Sequence, residues 1–339
     1  MYNLLGLCLA LAALLCTNVL ATFVSVALWR AIQRRFALGA SPAAQAQILL
    51  YLRLLPFACA LVFVCGFIVP AYLHHEPHPT EETVSLKLAF FALFCFAGLL
   101  LAVWRGVSSW IATRRLVADW LSHSEPVELA SLGVPVYRLQ HRFPVIAVVG
   151  VMRPRLFIAA HLFDELSAEE LQAAVLHEQG HLAARDNLKR AAMRACRDVL
   201  MLVPAGRTLD NAWLEQSEAA ADEHAARAGG AARALDLASA LVKIARLVPA
   251  VGATPRMPAG VFLIGEGGRG GLAWRVRRLA RLATTNEPPP LEASSAVLNY
   301  ALVGALAAAL IISATASFSQ PHFLAPLHGA IEHFVSALE

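Results

Sequence analysis

The chain has 339 residues, of which 58% are hydrophobic and 15% charged, and its formal net charge is +4. The mean hydropathy of +0.58 lies far from that of a soluble enzyme, so the composition excludes an ordinary soluble globular protein and predicts a membrane protein. The basic residues cluster beside apolar segments and lack a recognition motif, so direct binding to nucleic acid is not expected.

Four apolar segments are long enough to cross a bilayer, which takes about 20 residues in a helix. These segments are residues 1–28, 54–73, 88–104 and 296–318. The first lacks a basic start and is too long for a signal peptide, so it is predicted to be a membrane anchor. The predicted organisation is three spans in 1–111, a middle domain in 112–291, a fourth span in 292–318 and a short tail in 319–339.

The distribution of arginines predicts the orientation of these spans, because loops rich in lysine and arginine stay on the cytoplasmic side of a membrane. Arginines follow the first span, follow the third span and precede the fourth. Residues 1–29, the loop 74–83 and the tail after residue 318 contain no lysine or arginine. Both termini are therefore predicted to lie outside, and the middle domain inside.

The first part of the middle domain is predicted to form a small β-sheet. Residues 134–138, 144–150 and 156–158 are strand-like, and the pattern becomes helical after Leu166. A sheet edge of this kind can pair with an extended peptide, but the sequence leaves open which strand forms the edge.

The helix that follows carries the most informative motif of the chain, H-E-Q-G-H. Positions four apart stack on one face of a helix, so His177 and His181 can present two ring nitrogens to one zinc ion. Glu178 lies beside them, where it can act as the general base for a water molecule. A capping box at residues 167–170 starts this helix, which places the motif inside it. Gly180 either leaves room beside the metal or is simply a tolerated helix glycine.

A second helix is predicted after a turn at residues 204–206. Glu218 and Asp222 lie on one face of this helix because they are four residues apart. Glu218 is predicted to be the third zinc ligand, and Asp222 to accept a hydrogen bond from a ligand histidine and fix its tautomer. Glu215 and His224 remain alternative ligands, and the alternative to a metal site is a solvated acidic face.

Residues 272–282 form a basic amphipathic pattern that leads toward the fourth span. This pattern is typical of a helix at a membrane surface, and the inner surface is the predicted place for it. The preceding glycine-rich residues 265–271 lack the strand and lysine of a phosphate loop, so a flexible linker is predicted there.

The chain resembles the integral-membrane zinc metallopeptidases of the beta-lactam sensor-transducer type (the BlaR/MecR group). The three spans before the middle domain and the one after it match that group, whereas the local motifs are shared with HtpX-type and Ste-type membrane peptidases. The motifs that carry the resemblance are V-G-V-M-R-P-R-L-F-I at 149–158, L-S-A-E-E-L at 166–171, L-H-E-Q-G-H at 176–181, R-D at 185–186 and E-A-A-A-D at 218–222.

The resemblance implies an α+β membrane protein with a zincin-like domain between the third and fourth transmembrane helices. It implies that His177, His181 and Glu218 bind Zn²⁺, that Glu178 is the catalytic base and that Asp222 supports a ligand histidine. It also implies a multi-pass protein of the bacterial cytoplasmic membrane with its active site facing the cytoplasm.

The expected function is hydrolysis of peptide bonds in a protein substrate. Some members of the group cleave a cytoplasmic transcriptional repressor, so a repressor is the expected kind of substrate. The best-known members carry a penicillin-binding sensor after the fourth span, and this chain ends at Glu339, so antibiotic sensing by such a domain is not expected.

Two other functions are kept as alternatives. One is a quality-control peptidase of the HtpX or Ste type, and the other is a catalytically silent zinc-binding signal transducer. A membrane scaffold or transporter with a coincidental motif ranks behind both, because the span centres carry no charge. A second donor for the reaction's oxyanion is expected, with His161, His224 and Tyr137 as unranked candidates. The sequence leaves the oligomeric state, the cleavage site and autoproteolysis undetermined.

Overall fold

The computed structural model of the chain describes residues 2–36, 41–76, 84–128, 133–198, 205–248 and 268–285, with the further positions 308, 312, 324–326, 329, 332 and 333. The described residues form a mostly helical protein with one four-stranded sheet, consistent with the predicted α+β class. The predicted fourth span, 296–318, lies outside the described residues apart from Ala308 and Ile312.

Among the described residues, three helical stretches have the length and composition to cross a membrane: Tyr2–Arg34, Pro42–His75 and Leu86–Ser122. They contain the three spans predicted before the middle domain, which supports membrane association. The elements in this part of the chain are α1 (Tyr2–Phe36), α2 (Pro42–Phe63), a π-helical stretch (Val64–Ile68), α3 (Val69–His75) and α4 (Leu86–Ser122). At 1.5 Å per residue, the 37 residues of α4 extend for about 55 Å, well beyond a hydrocarbon core of about 30 Å.

The helix α2 begins well before the predicted span. Ser41 caps it by accepting a hydrogen bond from the N–H of Ala44, and Pro42 occupies the first turn, where its missing N–H costs nothing. Arg53 lies within this helix, is only 3% exposed and pairs with Asp210 through a 2.8 Å contact between Nε and Oδ1. The early part of α2 is therefore fixed to the middle domain.

The sheet has the strand order β1-β2-β4-β3. Its strands are β1 (Ser124–Val127), β2 (Val136–Leu139), β3 (Ile146–Val149) and β4 (Arg155–Ala159). The three predicted strands are confirmed, with β2 and β4 parallel and the other two pairs antiparallel. The sequence analysis missed β1, whose short S-E-P-V run has no apolar alternation. The strand β3 lies at one edge of the sheet, and its residues are buried.

Helices cover the sheet and build the rest of the middle domain. They are α5 (Leu162–Glu165), α6 (Ala168–Ala184), α7 (Asp186–Asp198), α8 (Ala205–Arg227), α9 (Gly230–Leu247) and α10 (Gly268–Thr285). Phe157 and Ile158 of the sheet share one buried core with Leu237 and Leu241 of α9. The predicted turn at 204–206 is wrong in part, because α8 already includes residues 205 and 206.

The basic helix α10 packs differently from the prediction. Its apolar face contacts the core of the middle domain through Leu272, Val276 and the fully buried Leu279. An amphipathic pattern records only that one face avoids water, so the sequence could not distinguish a protein core from a membrane surface. The packing brings the basic face of α10 close to α8.

Candidate metal centre

Two helices, α6 and α8, carry the candidate ligands. The capping box that begins α6 is present, with the Ser167 N–H donating to Glu170 Oε2 at 2.8 Å and the Glu170 N–H donating to Ser167 Oγ at 3.2 Å. Two otherwise unsatisfied N–H groups are thereby paired, which fixes where α6 starts. The helix ends at Arg185, whose φ of 55° is left-handed and turns the chain directly into α7.

Small residues let α6 and α8 approach closely. A Cβ placed on Gly180 would lie 3.0 Å from Ala221 Cα and 3.1 Å from His224 Cβ, which is tighter than ordinary van der Waals contact. The alanine at 221 presents only a methyl group to the crossing. Gly180 therefore lies at a tight crossing between the two helices that hold the candidate ligands.

This contact predicts the effect of enlarging residue 180. Gly180→Val should push the helices apart, destabilise the protein by about 1–3 kcal/mol and weaken metal binding. Gly180→Ala should cost less stability, because its better helix propensity offsets part of the clash. Thermal unfolding and zinc titration of both variants measure this. Gly271→Ala is the control, because a Cβ at that helical glycine meets nothing within 4 Å; equal behaviour of the 180 and 271 variants would contradict the packing argument.

His177, His181 and Glu218 converge in one buried group, with candidate ligand atoms all within 4.8 Å of one another. The two Nε2 atoms are 3.2 Å apart, and each lies 3.6 Å from an oxygen of Glu218. Tetrahedral zinc with bonds of 2.0–2.1 Å keeps its ligand atoms about 3.3 Å apart. Both Glu218 oxygens are buried. Oε2 lies 2.9 Å from Arg275 Nη1, whereas Oε1 accepts no hydrogen bond from the described residues and is therefore able to bind an ion. The donor set and its spacing therefore fit zinc.

A carboxylate supports each histidine on the ring nitrogen that points away from this group. His177 Nδ1 lies 3.0 Å from Asp222 Oδ1, and His181 Nδ1 lies 2.7 Å from Asp186 Oδ2. Such contacts hold the proton on Nδ1, orient the ring and leave Nε2 to bind a metal. The contact of Asp222 agrees in geometry with its predicted role, whereas no role was predicted for Asp186.

Glu178 is buried beside the two histidines, with its two oxygens in different surroundings. Oε2 accepts a 3.0 Å hydrogen bond from the N–H of Val148 in β3, and Oε1 is buried and accepts no hydrogen bond from the part of the chain that the structure describes. Burial raises the pKa of Glu178 above its ordinary value. One oxygen is thus anchored to the sheet edge, and the other can accept a proton.

Arg275 of α10 enters the same group and is 5% exposed. Its Nη2 and Nε donate to the two oxygens of Asp222 at 2.6 and 3.0 Å, and its Nη1 lies 2.9 Å from Glu218 Oε2. This fork holds Asp222 against His177 and supplies one positive charge to a site rich in carboxylates. No feature near the H-E-x-x-H motif indicates this residue, which follows His177 by nearly a hundred positions.

The charges of the group shift the acidities of its members. Burial alone would raise the pKa of Glu218, but Arg275 and His177 lower it to about 2. Burial and Arg275 would lower the pKa of His177, but hydrogen bonds to Asp222 and Glu218 outweigh them and raise it to about 9. The carboxylate of Glu218 is ready to bind a cation, while a metal has to displace a proton from His177.

The remaining candidates lie in other surroundings. Glu215 is exposed, whereas Glu218 on the same helix is buried. His224 is half-buried beside the crossing of α6 and α8. Tyr137 stacks on Phe157 with ring centroids 5.4 Å apart, and the carbonyl of His161 accepts hydrogen bonds from the first turn of α5. The identity of an oxyanion donor stays a prediction.

Neither a comparison with known protein families nor a comparison with curated proteins finds a match for this chain. The resemblance to the sensor-transducer peptidases therefore rests on the residues that carry it.

Proposed function

We propose that this protein is an integral-membrane zinc endopeptidase. The observation that carries the proposal is the buried convergence of His177, His181 and Glu218, with the carboxylate of Glu178 beside them. Two histidines and a glutamate with a neighbouring general base are the donor set of a hydrolytic zinc site with one open position. A purely structural zinc site would not require a buried base.

Different residues of the site have different roles in the proposed hydrolysis. A bound zinc ion would polarise the scissile carbonyl and lower the pKa of water at the site. Glu178 Oε1 accepts the proton of the attacking water and returns it to the leaving amine. Asp222 and Asp186 keep the two histidines in the tautomer that binds metal, and Arg275 keeps Asp222 in place.

The substrate is proposed to be a protein segment that pairs with the edge of β3. An extended peptide at this edge would run past Val148, whose N–H binds Glu178 and whose carbonyl binds Asn187, so the peptide would pair with other backbone groups of β3. The arginine-rich loops favour a site on the cytoplasmic side of a bacterial membrane, and a transcriptional repressor is the proposed kind of substrate.

Zinc content tests the metal site directly. The parent protein, purified in mild detergent, should contain one zinc ion per chain, and His177→Ala and Glu218→Ala should lose it because each removes a ligand. The matched control is Glu215→Ala, which removes an exposed carboxylate from the same helix and should keep the zinc. Metal analysis of the four proteins gives the result.

Three results would contradict the proposal in different ways. Zinc retained by Glu218→Ala would move the third ligand to another residue. A parent protein that stays free of zinc after reconstitution would remove the basis for a peptidase. A zinc-loaded parent that cleaves no peptide would instead favour the catalytically silent transducer.

A further inference from the structure

A cavity of about 870 Å³ lies outside the metal centre, between α4, α7 and the turn that joins β3 to β4. One face of α4 lines it from Ala102 to Leu121, with residues at helical spacing. The opposite walls are formed by Gly150 to Arg153 and by Asn187 to Ala195. The volume is within the range of sites that hold a ligand of several hundred daltons.

The lining combines an apolar wall with an unusual density of positive charge. Trp110, Val117, Val151 and Met152 contribute apolar surface. None of the described lining residues is acidic. Six arginines line the cavity: Arg105, Arg114, Arg153, Arg155, Arg190 and Arg194. A ligand that matches this lining has an anionic group and an apolar part.

The cavity begins where the apolar part of α4 ends. Residues 88–104 of α4 are uncharged, and Arg105 is the first charged side chain after them. Trp104 and Trp110 are 64% and 59% exposed, and tryptophan at such a position is typical of the interface between a bilayer and water. Arg114 lies over the Trp110 ring at 4.9 Å, so cationic and aromatic groups meet at this level.

The sheet is oriented so that the β3–β4 turn lies beside the part of α4 that lines the cavity. The Gln140 N–H donates to the His123 carbonyl, and this places the carboxyl ends of β2 and β4 beside the end of α4. The opposite end of β4 therefore runs back along α4, where its turn lines the cavity. Met152 at this turn is 89% exposed, which suits a side chain that reaches into lipid.

We propose that this cavity binds one anionic membrane phospholipid. The phosphate lies among the arginines, and an acyl chain lies along the apolar face of α4. Basic pockets beside transmembrane helices recognise lipids in this way, and a headgroup with two phosphates matches six arginines better than a headgroup with one. The proposal does not depend on zinc or on peptidase activity.

The cavity also shares a wall with the metal centre. Asn187 Nδ2 donates to the carbonyls of Val148 and Gly150, at 3.1 Å each, and therefore joins α7 to the edge strand that anchors Glu178. Asp186, the residue before it, supports His181. A lipid between α4 and α7 would hold this wall in place, so lipid binding should also raise the thermal midpoint of the protein.

Lipid binding to the full chain in mild detergent tests the proposal. The probes are cardiolipin, phosphatidylcholine and inorganic phosphate, and intact-protein mass spectrometry counts the bound molecules. The double variant R114Q/R153Q removes two exposed cavity arginines. Gly106→Leu narrows the cavity without changing its charge, and a Cβ there meets no described atom within 4 Å. Arg277→Gln removes an exposed arginine of α10, outside the cavity lining, and is the control.

Cardiolipin should bind saturably with one molecule per chain. Each cavity variant, R114Q/R153Q and Gly106→Leu, should weaken this binding by about tenfold or more. The control Arg277→Gln should not change it. Phosphatidylcholine should bind to the parent more weakly than cardiolipin, by a similar factor. Equal binding of phosphatidylcholine, or full binding by both cavity variants, would overturn the proposal. Displacement of cardiolipin by millimolar phosphate would reveal a site for a free anion, and displacement by an oligoglutamate peptide would reveal a peptide site; both outcomes also overturn it.

Discussion

Glu178→Gln is expected to keep one zinc ion per chain and to lower peptide-bond cleavage by about 10²–10⁴-fold, the usual contribution of a general base. The amide oxygen of glutamine can still accept the hydrogen bond from the Val148 N–H, as Glu178 Oε2 does. The amide nitrogen then occupies the position of Oε1 and cannot accept a proton. The shape of the site and its three candidate ligands stay unchanged. The variant should therefore lose peptide-bond cleavage and keep metal binding.

Cleavage of a defined peptide mixture, followed by mass spectrometry, measures this effect beside the zinc content of the same samples. Glu169→Gln is the matched control, because it makes the same substitution at an exposed position on the same helix. It should keep both zinc and activity. Full cleavage by zinc-loaded Glu178→Gln would show that another group takes the proton.

The helix that carries the motif was predictable because its signals are local. The capping box fixes its start, and the spacing of His177 and His181 fixes their shared face once the segment is helical. The position of Glu218 required a second inference, that the next acidic helix face packs against the first. The three alanines between Glu218 and Asp222 favour that packing, because small side chains let two helices approach closely.

The partners of the two histidines differ in how far they could be predicted. Asp222 lies one helical turn from Glu218, so helical periodicity predicts that both residues lie on the same face of α8. Asp186 lies beyond the end of α6, and its contact with His181 depends on the left-handed conformation of Arg185. A single arginine gives no sequence signal for positive φ, since glycine or asparagine is the usual residue there.

Long-range packing produced the largest differences from the sequence-based predictions. The prediction that α10 is an amphipathic helix is correct, but the periodic pattern does not show whether protein or lipid covers the apolar face. The extended part of α2 is tied to the middle domain by the ion pair of Arg53 with Asp210, whose two residues are far apart in sequence. The strand β1 pairs with β2 through backbone hydrogen bonds, which leave little trace in side-chain composition.

Arg275→Met is expected to destabilise the protein by about 3–5 kcal/mol, because it leaves Asp222 and Glu218 buried without their positive partner. Asp222 is fully buried and Glu218 is 5% exposed, so water cannot replace the guanidinium. For a domain of this size the loss corresponds to a thermal midpoint about 10 °C lower. The thermal midpoint of Arg275→Lys should lie between those of the parent and Arg275→Met, because lysine keeps the charge but loses the two-pronged contact with Asp222.

Thermal unfolding in mild detergent, with zinc and with a chelator, separates two roles of Arg275. Zinc should restore part of the stability of Arg275→Met, because a divalent cation also compensates Glu218 and, through His177, Asp222. Arg277→Met should behave like the parent, since that side chain is exposed on the same helix. A midpoint equal to that of the parent in the presence of chelator would show that the buried carboxylates do not need Arg275. An equal loss with and without zinc would show that Arg275 acts only by docking α10 on α8, and not by balancing the charge of the metal centre.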